Sequence, residues 1–201
     1  MLKKNNYLKV SLILIVLSFV SLSSCTNSKN QAVVKEKKQT TSTESVYQLP
    51  GTWQNQEGDS IQLAALRGKL PVVSMIFTHC GYACPRIVAD IKNIEKQVPA
   101  DKKDKVVFVL VSFDTERDQP ARLKEFAKDM QLDNNWILLH GDDEEVRELS
   151  MLLDVKYKKL PDGAFAHSNI ITLLDENGTI IARVEGLGTE SEEIVSKIKA
   201  L

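Results

Sequence analysis

The chain has 201 residues, 43% of them hydrophobic, with 26 Lys and Arg against 27 Asp and Glu and a formal charge of −1. The basic residues are scattered among acidic ones, so no electrostatic footprint for nucleic acid is present. Only three cysteines and three histidines occur, so any thiol or soft-metal chemistry rests on few side chains.

Residues 1–24 read as a lipoprotein export signal. Lys3, Lys4 and Lys9 precede the apolar run Val10 to Leu22, which is shorter than the about 20 residues of a membrane span. Leu22-Ser23-Ser24-Cys25 has the small-residue pattern that lipoprotein signal peptidase cuts, leaving Cys25 as the lipidated residue; an uncleaved signal anchor is the alternative. Cleavage removes three lysines and no acid, taking the formal charge from −1 to −4. The expected location is the extracytoplasmic side of a bacterial membrane, where disulfides persist. Residues 25–45 are polar and cannot bury a core, so they are expected to be a flexible tether. Residues 46–201 have the length of one domain.

Within that domain, Trp53 and Ser60 to Leu63 predict a small N-terminal hairpin. Pro71 to Phe77 reads as a buried strand. Pro85 to Gln97 is predicted helical, with Ile87, Val88, Ile91 and Ile94 at helical spacing, and Pro85 suits a first turn. Lys105 to Val111 is a nearly unbroken run of strand residues, expected of a central parallel strand. A helix over Gln119 to Met130, a short strand over Trp136 to Leu139 and a helix over Asp142 to Leu152 follow. His167 to Leu174 and Thr179 to Val184 flank Asp175-Glu176-Asn177-Gly178, a hairpin turn signal, and Glu190 to Ala200 predicts a last helix. This order argues for an α/β three-layer sandwich, a parallel βαβ half followed by an antiparallel hairpin and a helix. A cysteine motif between the first core strand and its helix fits the thioredoxin arrangement.

Cys80 and Cys84 stand four residues apart at that strand–helix junction. With Cys25 lipidated, they are left to each other. They can close a disulfide, too short a loop to give much stabilisation, or jointly hold a soft metal ion. Cys84 falls at the predicted helix N-terminus, where the dipole favours thiolate. His167 follows the flexible Pro161-Asp162-Gly163 at the start of the late hairpin, whose entry in a thioredoxin fold lies beside the cysteine loop. There it would complete a site of two sulfurs and one nitrogen, suited to copper; a solvent-facing loop histidine is the plain alternative. His79 neighbours Cys80 but points to the opposite face of an extended backbone, so it is read as a supporting or core group. His140 is read as structural. Asp114 is placed to hydrogen-bond to a histidine or to Arg117, and Asp118 to cap the helix from Gln119.

Three separated motifs carry a resemblance: Phe77-Thr78-His79-Cys80-x-x-x-Cys84-Pro85, Ser112-Phe113-Asp114-Thr115-Glu116-Arg117-Asp118, and His167-Ser168 ahead of a strand and Asp175-Glu176-Asn177-Gly178. In this order they resemble the SCO/SenC family of membrane-tethered, thioredoxin-fold copper proteins that help assemble the binuclear copper centre of cytochrome c oxidase. The resemblance covers roughly Val46 to Leu201. It implies a central mixed sheet with flanking helices, copper ligation by Cys80, Cys84 and His167, and a supporting role for Asp114. It also implies a partner in the copper-binding subunit of a terminal oxidase or another cuproenzyme. Two departures stand out. Gly81-Tyr82 replaces the Pro-Asp of many members, and Ala166 replaces an acidic residue before the histidine; both remove negative charge near the site. Copper delivery as a metallochaperone is the leading expectation, and thiol–disulfide exchange through Cys80 and Cys84, keeping the acceptor cysteines reduced, is the alternative. A peroxidase on this fold is disfavoured by the absence of a Pro-x-x-x-Thr-x-x-Cys pattern.

Overall fold

The computed structural model describes residues 45–188 and 191–201. The export signal, Cys25 and the tether up to residue 44 lie outside the described residues. Among the described residues no helix is long and apolar enough to cross a membrane.

The elements are β1 (Trp53–Asn55), β2 (Ser60–Ile61), β3 (Leu70–Ile76), α1 (Ala83–Gln97), β4 (Val106–Ser112), α2 (Pro120–Asp129), β5 (Trp136–His140), α3 (Asp143–Leu152), β6 (Tyr157–Lys159), β7 (Phe165–His167), β8 (Ile170–Leu174), β9 (Ile180–Glu185) and α4 (Glu192–Ala200), with single 3₁₀ turns at Val46–Gln48, Leu63–Leu66 and Ala100–Lys102. Seven strands form one mixed sheet in the order β2-β1-β5-β4-β3-β8-β9. β3, β4 and β5 run parallel, while β1 pairs antiparallel with β5 and β8 antiparallel with β3. This is the thioredoxin-like architecture expected, and the β1–β2 hairpin extends one edge of the sheet.

The strand residues explain the layering. All seven residues of β3 and six of seven in β4 are buried, as both faces of a parallel sheet are covered by helices. Pro71 is tolerated because pairing with β8 begins only at Val72, and the amide of Leu70 already points at β4, leaving the proline nitrogen on the still unpaired side. Ser74, buried within β3, donates to the carbonyl of Ile170 at 2.7 Å. On α1 the buried positions are Cys84, Ile87, Val88, Asp90, Ile91 and Ile94, a stripe with helical period. Asp142 caps α3 through a capping box with Glu145. The Asp175–Gly178 turn closes β8 on β9, with Gly178 at φ +82° and a Cβ there only 2.7 Å from the Tyr47 ring.

Between α3 and β8 the fold departs from the sequence reading. Tyr157–Lys159 and Phe165–His167 pair antiparallel as a separate two-stranded sheet, in the register Tyr157↔His167. His167 therefore ends this hairpin instead of starting the β8 strand, because Ser168 and Asn169 break the run. Alternation in such a three-residue strand is too short a signal to separate from a loop.

The topology brings three segments to one edge. β3 and β4 are parallel neighbours with Ile76 opposite Ser112, so the segments following both leave the sheet together. β8 runs the other way, with Ile171 opposite Ser74, so the chain entering β8 arrives at that same edge. Open α/β sheets place their sites at this carboxyl edge.

Candidate metal centre

The loop from Phe77 to Tyr82 joins β3 to α1, and its two sulfurs have opposite surroundings. Cys84, the second residue of α1, is fully buried, and its sulfur accepts from the amide of Phe77 at 3.4 Å. Burial pushes this thiol well above the ordinary cysteine range; the Phe77 N–H pulls it down, while negative charge on Cys80 and on Asp118 pushes it further up. The helix-dipole expectation at Cys84 is thus overturned, because the apolar stripe of α1 turns its side chain into the core. Cys80 takes the benefit instead. It is partly exposed, and its sulfur accepts from the amide of Cys84 at 3.4 Å, filling the place of the side-chain cap that Tyr82 does not supply. Burial raises the Cys80 thiol, but the N–H groups of Cys84, Tyr82 and Ala83 and the Cys84 thiol outweigh it, leaving Cys80 below its ordinary value.

His167 reaches this pair from β7. Each of Cys80, Cys84 and His167 offers one ligand atom, and the three atoms lie within 4.8 Å of one another. The Nδ1 of His167 stands 3.0 Å from the carbonyl oxygen of Ser168; a carbonyl only accepts, so Nδ1 carries a proton, and in the neutral ring the lone pair is the one on Nε2. The ring rests on Phe77 and Phe113, with centroids 6.0 and 5.0 Å away. Phe165 and Tyr157 continue this aromatic floor. Two sulfurs and one imidazole over an apolar surface form a soft donor set, suited to a thiophilic cation.

The charged groups of the neighbouring loop have different jobs from those expected. Asp118 does not cap α2; Gln119 occupies that position without a side-chain bond. The Asp118 carboxylate is fully buried and accepts from the amide of Thr78 at 2.7 Å, the Thr78 hydroxyl at 2.6 Å and the Ser112 hydroxyl at 2.6 Å. It thereby clamps the end of β3 to the end of β4 directly beneath the cysteine loop. The Nε of Arg122 donates to the Thr78 hydroxyl at 3.0 Å. His79 is not a core group: its side chain is 45% exposed, with Nδ1 3.4 Å from Asp118. Asp114, buried, pairs with Arg117, one of the two partners expected of it, and its amide donates to the Ser112 hydroxyl at 3.0 Å. His79, Asp114 and Asp118 also lie within 4.8 Å of one another, but the Asp118 carboxylate is taken up by three protein donors. His140 closes β5 away from any hydrogen-bond partner for its buried Nδ1.

Sequence reasoning gave Arg117 only as a partner for Asp114, and missed its reach to the Gly163 carbonyl, the roles of Thr78 and Ser112, and the aromatic floor. The one available signal was the density of Phe and hydroxyl residues just beyond the two central strands.

A profile of the family described as SCO1/SenC matches residues 35–201. The SCO1 protein homolog of Bacillus subtilis (strain 168) is 30% identical over 156 residues, covering 75% of this chain and 80% of that protein. Among solved structures, a SCO1/SenC family lipoprotein from Bacillus anthracis superposes with a TM-score of 0.69 at 29% identity, covering 77% of this chain and 95% of the other. The ScoI protein of Bradyrhizobium japonicum with copper bound superposes with a TM-score of 0.65 at 27% identity, covering 76% and 97%.

Proposed function

This chain belongs to the SCO1/SenC family, and we propose that it is a copper metallochaperone that carries the ion between the thiolates of Cys80 and Cys84 and the Nε2 of His167. The observation that supports this reading is that one ligand atom from each of Cys80, Cys84 and His167 lies within 4.8 Å of the others, together with the copper held by the Bradyrhizobium relative. Copper is cargo here. Cu(I) is satisfied by two thiolates, and the imidazole suits either oxidation state. The acceptor proposed is the copper centre of a terminal cytochrome c oxidase, loaded by ligand exchange.

The unequal burial of the sulfurs gives that exchange an order. An acceptor thiolate meets the partly exposed Cys80 first, and Cys84, buried in the stripe of α1, lets go last. Cys84 binds as thiolate, so metal loading releases the proton that burial holds on it. Lipidation at Cys25, with the domain on the extracytoplasmic face, is part of the same proposal; the description of the Bacillus anthracis relative as a lipoprotein supports it.

A second reading is favoured by the lowered Cys80 thiol beside a raised Cys84 thiol, the usual asymmetry of an attacking and a resolving cysteine. The Cys80 thiolate would attack an acceptor disulfide, forming a mixed disulfide and freeing one acceptor thiolate. Cys84 would then displace the second, leaving a Cys80–Cys84 disulfide and an acceptor reduced by two electrons. Copper titration of the reduced full chain tests the first reading. About one ion per chain in wild type, with weakened binding in His167→Ala, is the expected result; stoichiometry far below one, or indifference to His167→Ala, leaves only thiol exchange.

A further inference from the structure

His167 is the one member of the donor set that the seven-stranded sheet does not carry. Cys80 and Cys84 ride on the loop and helix after β3, whereas His167 belongs to the separate β6–β7 sheet. A lone two-stranded hairpin is marginal in water, so its station over the sulfurs must come from contacts outside it. The aromatic floor under His167 supplies depth and a modest preference for edge and tilted ring contacts, but no hydrogen bond to the hairpin.

The directional ties run to the short loop after β4. The guanidinium of Arg117 donates from Nε to Asp114 at 2.5 Å and from Nη2 to the carbonyl oxygen of Gly163 at 2.5 Å. Gly163 lies in the β6–β7 turn at φ +80°, where the guanidinium stands 3.4 Å from the position of an added Cβ. Beside it, Glu116 pairs with Lys159 of β6, but both of those side chains are exposed, and such pairs contribute little. The Asp114 carboxylate is buried and its own amide is held by Ser112, so the Arg117 bridge is the tie anchored to the core.

We infer that Arg117 is a positioning residue for the imidazole of His167: by fastening the hairpin turn to the end of β4, it sets where the ring stands relative to the two sulfurs. The fork geometry matters, because one rigid guanidinium reaches a carboxylate and a carbonyl at once and a lysine ammonium does not reproduce that fork.

This inference rests on the copper reading above, and its test separates the two. In the metal-free full chain, the His167 ring-proton shifts, displaced by ring currents of Phe77 and Phe113, are compared by NMR between wild type and Arg117→Gln. In parallel, Cu(II) affinity and imidazole-nitrogen hyperfine coupling are measured for wild type, Arg117→Gln, Arg117→Lys, His167→Ala and the Arg117→Gln/His167→Ala double variant. Arg117→Gln is expected to move the ring shifts toward solvent values and to weaken copper about 10- to 100-fold, the usual range for groups that orient a ligand. Arg117→Lys is expected not to restore either, and Arg117→Gln is expected to cost nothing further on the His167→Ala background. Unchanged ring shifts, or an equal penalty with and without His167, overturns the inference. A wild-type chain that takes up no copper removes the metal reading while the ring shifts still decide the role of Arg117. Should Arg117→Gln fail to fold, the same shifts are read in Arg117→Lys.

Discussion

The amide of Cys84 donates to the sulfur of Cys80 at 3.4 Å, so one cysteine caps the helix in which the other is buried. The two thiols of a four-residue spacing thus acquire different reactivities from a single helix start. Cys80 receives the free N–H groups of the first turn, and Cys84 receives the core.

Alkylation should reveal this split. Cys80 is expected to react first, with a pH–rate profile lying below that of an ordinary thiol, and Cys84 to stay protected in the folded chain. Iodoacetamide labelling followed by mass spectrometry across pH reads both. Equal rates at the two positions would refute the asymmetry.

Asp118 should matter for stability more than its place in a charged loop indicates. Asp118→Ala leaves the Thr78 amide, the Thr78 hydroxyl and the Ser112 hydroxyl without their buried acceptor. Each such loss costs about 1–3 kcal/mol, so a destabilisation of about 3 kcal/mol or more is expected in urea unfolding. A change within about 0.5 kcal/mol would mean that the clamp does not exist in solution.

Phe113 packs against Phe77, Phe165, Tyr157 and His167 and is buried. Phe113→Ala should cost about 3–5 kcal/mol, as for other large aromatic deletions, and should weaken copper binding along with it. Phe113→Leu, which keeps an apolar floor, is expected to retain most of the copper affinity. Calorimetry with and without copper separates the two effects.

Tyr47 gives the chain a stability loss at alkaline pH. Burial, and then the negative charge of Asp175, push its phenol up from 10.0 to about 12, against a smaller opposing pull from Arg67, while its hydroxyl donates to the Leu66 carbonyl at 3.1 Å. The unfolded chain gives up this proton at about pH 10 and the folded chain only near 12. The unfolded state therefore binds fewer protons in that window, and stability falls with rising pH across it, by at most about 3 kcal/mol. Tyr47→Phe is expected to flatten this slope while costing about 1 kcal/mol at neutral pH for the lost hydrogen bond. Parallel slopes for wild type and variant would exclude Tyr47 as the cause.

Much of the fold was readable from short-range pattern. The apolar runs of β3 and β4, the 3.6-residue period of α1 and the Asn177-Gly178 turn each encode an element locally, and the motif Cys80-x-x-x-Cys84 announced thiol or metal chemistry. Even the burial of Cys84 was written there, three residues before Ile87 on the same helical stripe, although the dipole argument pointed the other way. What no local pattern could encode is which distant segments share an edge. The clamp of Thr78 and Ser112 on Asp118, the bridge from Asp114 through Arg117 to Gly163, and the arrival of His167 above two sulfurs all join residues far apart in sequence. Their meeting depends on strand order and direction, with β3 and β4 parallel and β8 reversed beside them. Those are set by how the whole sheet closes over its core, a sum of many contacts that no single segment carries.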